Sequence, residues 1–199
     1  MQIITLDPKQ MMGKKPSFDK ASPNKVWIAG GAIRGWFTGQ EKLSDVDYFF
    51  ADEQVFNFCT ADLIESGYEL VNKHPNADTY IKNDLAPIQC IKKRTYTSVQ
   101  ELFDSFDFTL CQFAWDGEKI YSTVEAVIST QRNHLGVHKL QGNIPDSLRR
   151  AFKYNRKGFY PCNGTLLALS NAMRTLTEED IKNSIEISPN GGKRIIRID

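Results

Sequence analysis

Cysteine is scarce and scattered. The four thiols, Cys59, Cys90, Cys111 and Cys162, include no C-x-x-C pair. That spacing suits neither a zinc site nor a disulfide-stapled scaffold, and predicts reduced, mostly buried thiols in a cytoplasmic protein. Net charge is also nearly absent, with 25 Lys and Arg against 24 Asp and Glu. The overall field therefore excludes nothing about nucleic acid, and only local clusters carry information. No apolar run approaches the roughly 18 residues needed to cross a bilayer. The first twenty residues lack the apolar core of a signal peptide, so no membrane partner is expected. No internal repeat is present.

What is there divides at about residue 122. Residues 1–24, with Pro8, Pro16 and Pro23, read as an irregular arm. Over 25–122 the pattern is mixed. "KVWIAGG" predicts a buried strand ending in two glycines, "AIRGWFTG" one or two helical turns, and "SDVDYFFA" a second strand. "DEQVFNFCTADLIESG" spaces Val55, Phe58, Cys59 and Leu63 as a helix does. A hairpin follows around "PNA", then a strand "APIQCIKK" and a short helix from Ser98. "FTLCQFAWDGEKIYS" reads as two strands joined at Asp116-Gly117. From 123 to 185 the period lengthens, and "VEAVISTQRNHLGVHKL", "DSLRRAFKYNRKG" and "GTLLALSNAMRTL" predict helices, with another short one from Thr177. Residues 186–199 form a short basic tail. The fold class is α/β (α+β), a mixed sheet followed by a small helical subdomain.

Asp45 and Asp47 stand two apart on a predicted strand, so both side chains take one face about 6.8 Å apart. Two like charges held so closely call for a cation. Mg²⁺ binds through a few carboxylates plus phosphate oxygens and water. Gly30-Gly31 at a strand-to-helix turn lets backbone approach phosphate, and Arg34 sits one turn further on.

In order and spacing, "GGAIRGWFTGQEKLSDVDYFF" resembles the G-G-A-V-R-D…D-x-D signature of the polymerase-β-like nucleotidyltransferases. The branch it resembles is the bacterial CCA-adding enzymes and poly(A) polymerases. Gly30, Gly31, Ala32, Arg34, Gly39, Asp45 and Asp47 carry the match. "FDFTLCQFAWDG" resembles the branch's D-F-T-I-N-A-L-A-Y segment through Asp107, Phe108, Thr109 and Ala114. "RRAFKYNRKGF" resembles the segment that opens the helical neck.

The resemblance implies a nucleotidyltransferase head and a neck-like helical region. It implies transfer of a nucleoside monophosphate from an NTP to an acceptor hydroxyl, with pyrophosphate released. Asp45 and Asp47 would bind Mg²⁺, two ions in this family, and Asp107 the metal or ribose. Gly30, Gly31, Arg34 and Thr109 would contact the nucleotide, with Arg149, Arg150 and Lys153 at its base or phosphates. An RNA 3′ end, tRNA included, is the implied acceptor, with a protein or small-molecule acceptor as the alternative. Small proteins of this kind occur in bacteriophage genomes, and a compact transferase is expected rather than a complete CCA-adding enzyme.

Several positions depart from the family. Ser105-Phe106 replaces its Arg-Arg pair, Gln89 stands where a third acid occurs, and Ser44 precedes the first aspartate. The E-D-x-x-R base-reading segment has only a shifted counterpart, Asp146 and Arg149. A catalytically inactive relative that still binds nucleotide or RNA is therefore the second reading. His134 and His138 share a helical face at i, i+4, a spacing able to hold zinc, but no third ligand is evident and ordinary satisfied histidines are expected. Lys92, Lys93 and Arg94 follow the strand of Gln89, as a solvated strand end or an extension of a basic groove.

Overall fold

A computed structural model describes residues 1–16, 25–140 and 144–179. Eight strands form one mixed sheet in the order β1-β8-β7-β2-β3-β6-β5-β4. In chain order these are β1 (Ile3–Leu6), β2 (Val26–Ala29), β3 (Val46–Phe50), β4 (Glu69–His74), β5 (Ala77–Ile81), β6 (Ile88–Ile91), β7 (Phe113–Trp115) and β8 (Ile120–Thr123). Only β3 and β6 run parallel; the other neighbours are antiparallel. A second, two-stranded parallel pair joins β9 (His134–Leu135) to β10 (Tyr160–Pro161). The described residues form six α-helices: α1 (Gly31–Phe37), α2 (Glu53–Glu65), α3 (Val99–Asp104), α4 (Val124–Gln131), α5 (Ile144–Arg156) and α6 (Asn163–Arg174).

The sheet is covered on both faces, which explains the unbroken apolar run of β2. Val26 and Ile28 pack with Ile33 and Trp36 of α1 and Cys59 and Leu63 of α2. Trp27 and Ala29, alternating to the other face, pack with Leu102 and Phe103 of α3. A third core lies under α5 and α6, where Phe108, Leu110, Leu135, Ala151 and Leu169 meet.

Polar caps set the helix starts. Asp52 accepts from the Val55 amide, Ser98 from Glu101 and Thr123 from Ala126. Three of the four thiols are buried and none is in a disulfide. No helix among the described residues is long and apolar enough to cross a membrane.

Three expectations are corrected. Ile3–Leu6, read as irregular, pairs with β8 as an edge strand. Thr109–Cys111, read as strand, is a 3₁₀ turn. The helix expected over 124–140 stops at Gln131, because Asn133 takes a left-handed backbone (φ 51°) and His134–Leu135 pairs with Tyr160–Pro161. His134 and His138 therefore do not share a helical face. Residues 17–24 of the arm, the tail 186–199 and most of the short helix expected from Thr177 lie outside the described residues.

Candidate active site

β3 is pinned between β2 and β6, so the position of its acids is set by the sheet. Asp47 stands in register with Ala29 on one side and Gln89 on the other. Asp45 immediately precedes the strand, and Ser44 Oγ donates to its Oδ1 at 2.6 Å. Val46 between them is 3% exposed and turns into the core, its amide donating to Pro87 O at 2.8 Å.

Asp45 and Asp47 line one small cleft of about 50 Å³ with Gly31, Arg34, Lys153, Tyr154 and Lys157. Burial, reinforced by the Asp45 charge and opposed by Lys153, pushes the Asp47 carboxyl up to about 7. Burial, with the neighbouring charges of Lys153 and Arg34, holds the Lys157 ammonium below the usual lysine range. Burial also raises Tyr154 well above an ordinary phenol, and its hydroxyl lies 3.0 Å from Cys111 Sγ. An anionic pair thus faces two ammonium groups, a charge pattern suited to a cation and phosphate oxygens.

Gly30 caps α1 with φ 80° and ψ −131°, a conformation closed to side chains. Its amide donates to Phe113 O at 2.8 Å, so Gly31 is the glycine that borders the cleft. Arg34 is 4% exposed. Its Nη1 donates to Leu110 O at 3.0 Å, and its guanidinium lies 5.4 Å from the Tyr154 ring and 5.0 Å from Phe159. Arg34 therefore ties α1 to α5 while bordering the cleft.

Other candidates fall elsewhere. Asp107 is not among the cleft residues; its Oδ2 accepts from Arg150 Nε at 2.7 Å and forms an ion pair with Nη2 at 2.6 Å. Thr109 Oγ1 lies 2.9 Å from Ser129 Oγ, and the Thr109 amide donates to Gly136 O. Arg149 pairs with Asp146 on the outer surface of α5. Lys92 pairs with Asp78 at 2.6 Å, and Arg94 lies over the Tyr96 ring. No group of three or more metal-ligating side chains occurs among the described residues. Of the basic segment "RRAFKYNRKGF", Arg149, Arg150 and Lys153 are the residues expected at the nucleotide; the structure puts Lys153 in the cleft together with Tyr154 and Lys157 of the same segment, and adds Ser44. The i, i+4 spacing of Lys157 from Lys153 was the available signal.

A protein-family model described as "Gabija anti-defense 2 family protein" matches residues 9–132. "Gabija anti-defense 2" of Bacillus phage SPbetaL7 is 33% identical over 94 residues, covering 47% of this chain and 23% of that protein. Among solved structures, the Thermotoga maritima CCA-adding enzyme complexed with tRNA superposes with a TM-score of 0.61 at 15% identity. That match covers 82% of this chain and 40% of the other. A CCA-adding enzyme in complex with ATP gives a TM-score of 0.62 at 16% identity, with the same coverage. A tRNA nucleotidyltransferase complexed with a primer tRNA and an incoming ATP analog gives 0.55 at 16% identity, over 75% of this chain and 47% of that one. The fold is thus shared with the head of CCA-adding enzymes. The chain spans less than half the length of each of these relatives.

Proposed function

The chain belongs to the Gabija anti-defense 2 family, and from that premise we propose that it is a nucleotidyltransferase. The supporting observation is the cleft that collects Asp45, Asp47, Lys153 and Lys157 at the start of β3. The solved structures that share the fold include complexes with ATP and with CTP, which supports an NTP as the substrate.

The donor set fits Mg²⁺. Two carboxyl groups that line one cleft at the start of β3, one of them held up by burial and its neighbour's charge, provide oxygen ligands. Asp45 and Asp47 would hold the metal, which when bound neutralises triphosphate charge and activates the attacking hydroxyl. Ser44 orients Asp45 through its 2.6 Å hydrogen bond. Lys153 and Lys157 grip phosphate oxygens, and Gly31 leaves room for them beside α1. Arg34 holds α5 against α1 and so keeps both lysines over the carboxylates. Asp107 with Arg150 anchors the same helix and acts as a positioning pair. Arg149, which faces outward, is available to an acceptor rather than to the nucleotide.

The acceptor is an RNA 3′ end in this reading, supported by the tRNA complexes of the shared fold. Separate pools of RNA and protein, each incubated with labelled NTPs and the purified chain, test it. Label confined to RNA supports the reading; label confined to protein transfers the same chemistry to a side-chain acceptor. A second reading, nucleotide binding without transfer, is favoured by one observation: Gln89, neutral, occupies the ladder position beside Asp47. Mg²⁺-dependent NTP binding with no pyrophosphate release supports that alternative.

A further inference from the structure

A second concavity, of about 350 Å³, opens beside the segment that carries Asp45. Leu43 belongs to both hollows. Asp45 and Asp47 line the first, whereas Val46, pointing the other way between them, lines the second. The two are back to back across the start of β3.

Val46, Leu85, Pro87 and Ile88 give the second hollow an apolar part beside the Tyr68 ring. Lys14, Lys15 and Lys42 also line it, with Glu41 and Asp84. Hydrogen bonds hold the backbone segments that carry Lys14, Lys15 and Lys42 side by side. The Met12 and Gly13 amides both donate to Trp36 O, and the Lys14 amide donates to Gln40 O at 3.0 Å. Gln40 Nε2 in turn donates to Lys42 O at 2.6 Å. A Cβ on Gly13 would lie 2.7 Å from both Gln40 N and Gly35 O, so only glycine allows this approach. The Lys15 ammonium is held 4.6 Å from the centre of the Trp115 ring.

Ligand sites are typically concave hollows of roughly 300–1,000 Å³ that combine apolar surface with a few polar groups, and this one falls within that size. We infer that this hollow is a second binding site, taking a phosphorylated ligand the size of a nucleoside monophosphate. The phosphate sits among Lys14, Lys15 and Lys42, and the flat ring lies on the apolar part. The ligand is either a free mononucleotide or one nucleotide of an RNA strand, which share this chemistry. The site stands whether or not Asp45 and Asp47 catalyse transfer.

The test therefore uses the full chain carrying Asp45→Asn and Asp47→Asn, in EDTA, with binding read by calorimetry and tryptophan fluorescence. Lys15 lies over Trp115, so a phosphate drawing on that ammonium changes the emission. AMP and CMP are titrated beside adenosine, inorganic phosphate and a short oligoribonucleotide. Saturable binding of at least one mononucleotide is expected, stronger than phosphate and lost for the nucleoside. A mononucleotide and the oligoribonucleotide competing for one site assigns the ligand to both sources; oligoribonucleotide binding at that site without mononucleotide binding assigns it to RNA. Lys14→Gln with Lys42→Gln weakens binding about tenfold or more, corresponding to about 1.4 kcal/mol. A melting curve verifies that this variant is folded. No saturable binding of any nucleotide, equal affinity for AMP and adenosine, or binding untouched by the lysine variant overturns the inference.

Discussion

Arg150 and Asp107, 43 residues apart, meet at a single carboxylate oxygen: Nε of the arginine donates to Oδ2, and Nη2 lies 2.6 Å from the same atom as an ion pair. The aspartate is 8% exposed and the arginine side chain 44%, so the pair is screened from one side only. The Asp107 carbonyl also accepts from the His138 and Lys139 amides. One residue thus joins three stretches of chain.

Asp107→Asn keeps the shape and removes the charge. A charge-assisted bond is worth about 1.5–3 kcal/mol when buried, and half-exposure places this one at the low end. Urea unfolding of Asp107→Asn, Arg150→Gln and the double variant is expected to give a coupling energy of about 1 kcal/mol. Additive single effects would show that the pair contributes nothing.

The two carboxylates of the cleft lead to a metal and pH prediction. A carboxyl raised above its ordinary value disfavours the folded state once ionised, so the penalty appears as pH rises from about 4 toward about 7 and is absent below. In EDTA, Asp47→Asn is therefore expected to melt higher than wild type at pH 8 and equally at pH 3.5. For a chain of this size, about 1 kcal/mol corresponds to about 2–4 °C. Mg²⁺ is expected to raise the wild-type Tm and leave the variant unmoved. Scanning calorimetry at the two pH values checks both.

The sequence leaves open which cations of α5 reach the cleft, because that depends on which side of the helix meets the β3 start. The i, i+4 rule places it beside Lys153, yet it does not say which of Arg149, Lys153, Arg156 and Lys157 faces the acids. Packing decides: Arg149 pairs outward with Asp146, while Lys153 and Lys157 turn to the cleft. Lys157→Ala is expected to weaken NTP binding about tenfold with the melting temperature unchanged. Equilibrium binding to a labelled NTP measures it, and an unchanged affinity would remove Lys157 from the site.

Cys162 caps α6 in the open. Hydrogen bonds from the Thr165 backbone and hydroxyl, then from His134, draw its thiol down to about 6. Burial pushes Cys59 and Cys111 up to about 11, and Cys90 higher still. Iodoacetamide at pH 7 is expected to label Cys162 first, its rate falling as pH drops through about 6. Peptide mapping after short exposure checks the order.

The head of the fold was legible because its signals are local. The segment "SDVDYFFA" marked β3, the "PNA" turn marked the β4–β5 hairpin, and Ser98 marked the start of α3. Asp45 and Asp47 do line one cleft, as their spacing of two suggests, although Asp45 precedes β3 rather than lying on it. What local pattern could not carry was pairing at a distance. The β9–β10 ladder joins residues about 26 apart and overrides the helical periodicity after Gln131. Asp107 illustrates the same limit: its motif matched a nucleotide-contacting segment, whereas its partner, Arg150, is fixed only by the packing of α5 on Phe108 and Leu110.

The most direct measurement is incorporation from each of the four labelled NTPs into total RNA, comparing the wild-type chain with Asp45→Ala/Asp47→Ala. The account predicts Mg²⁺-dependent label with wild type and at least a hundredfold less, about 2.7 kcal/mol in the barrier, with the double variant. Equal labelling by both proteins would contradict it.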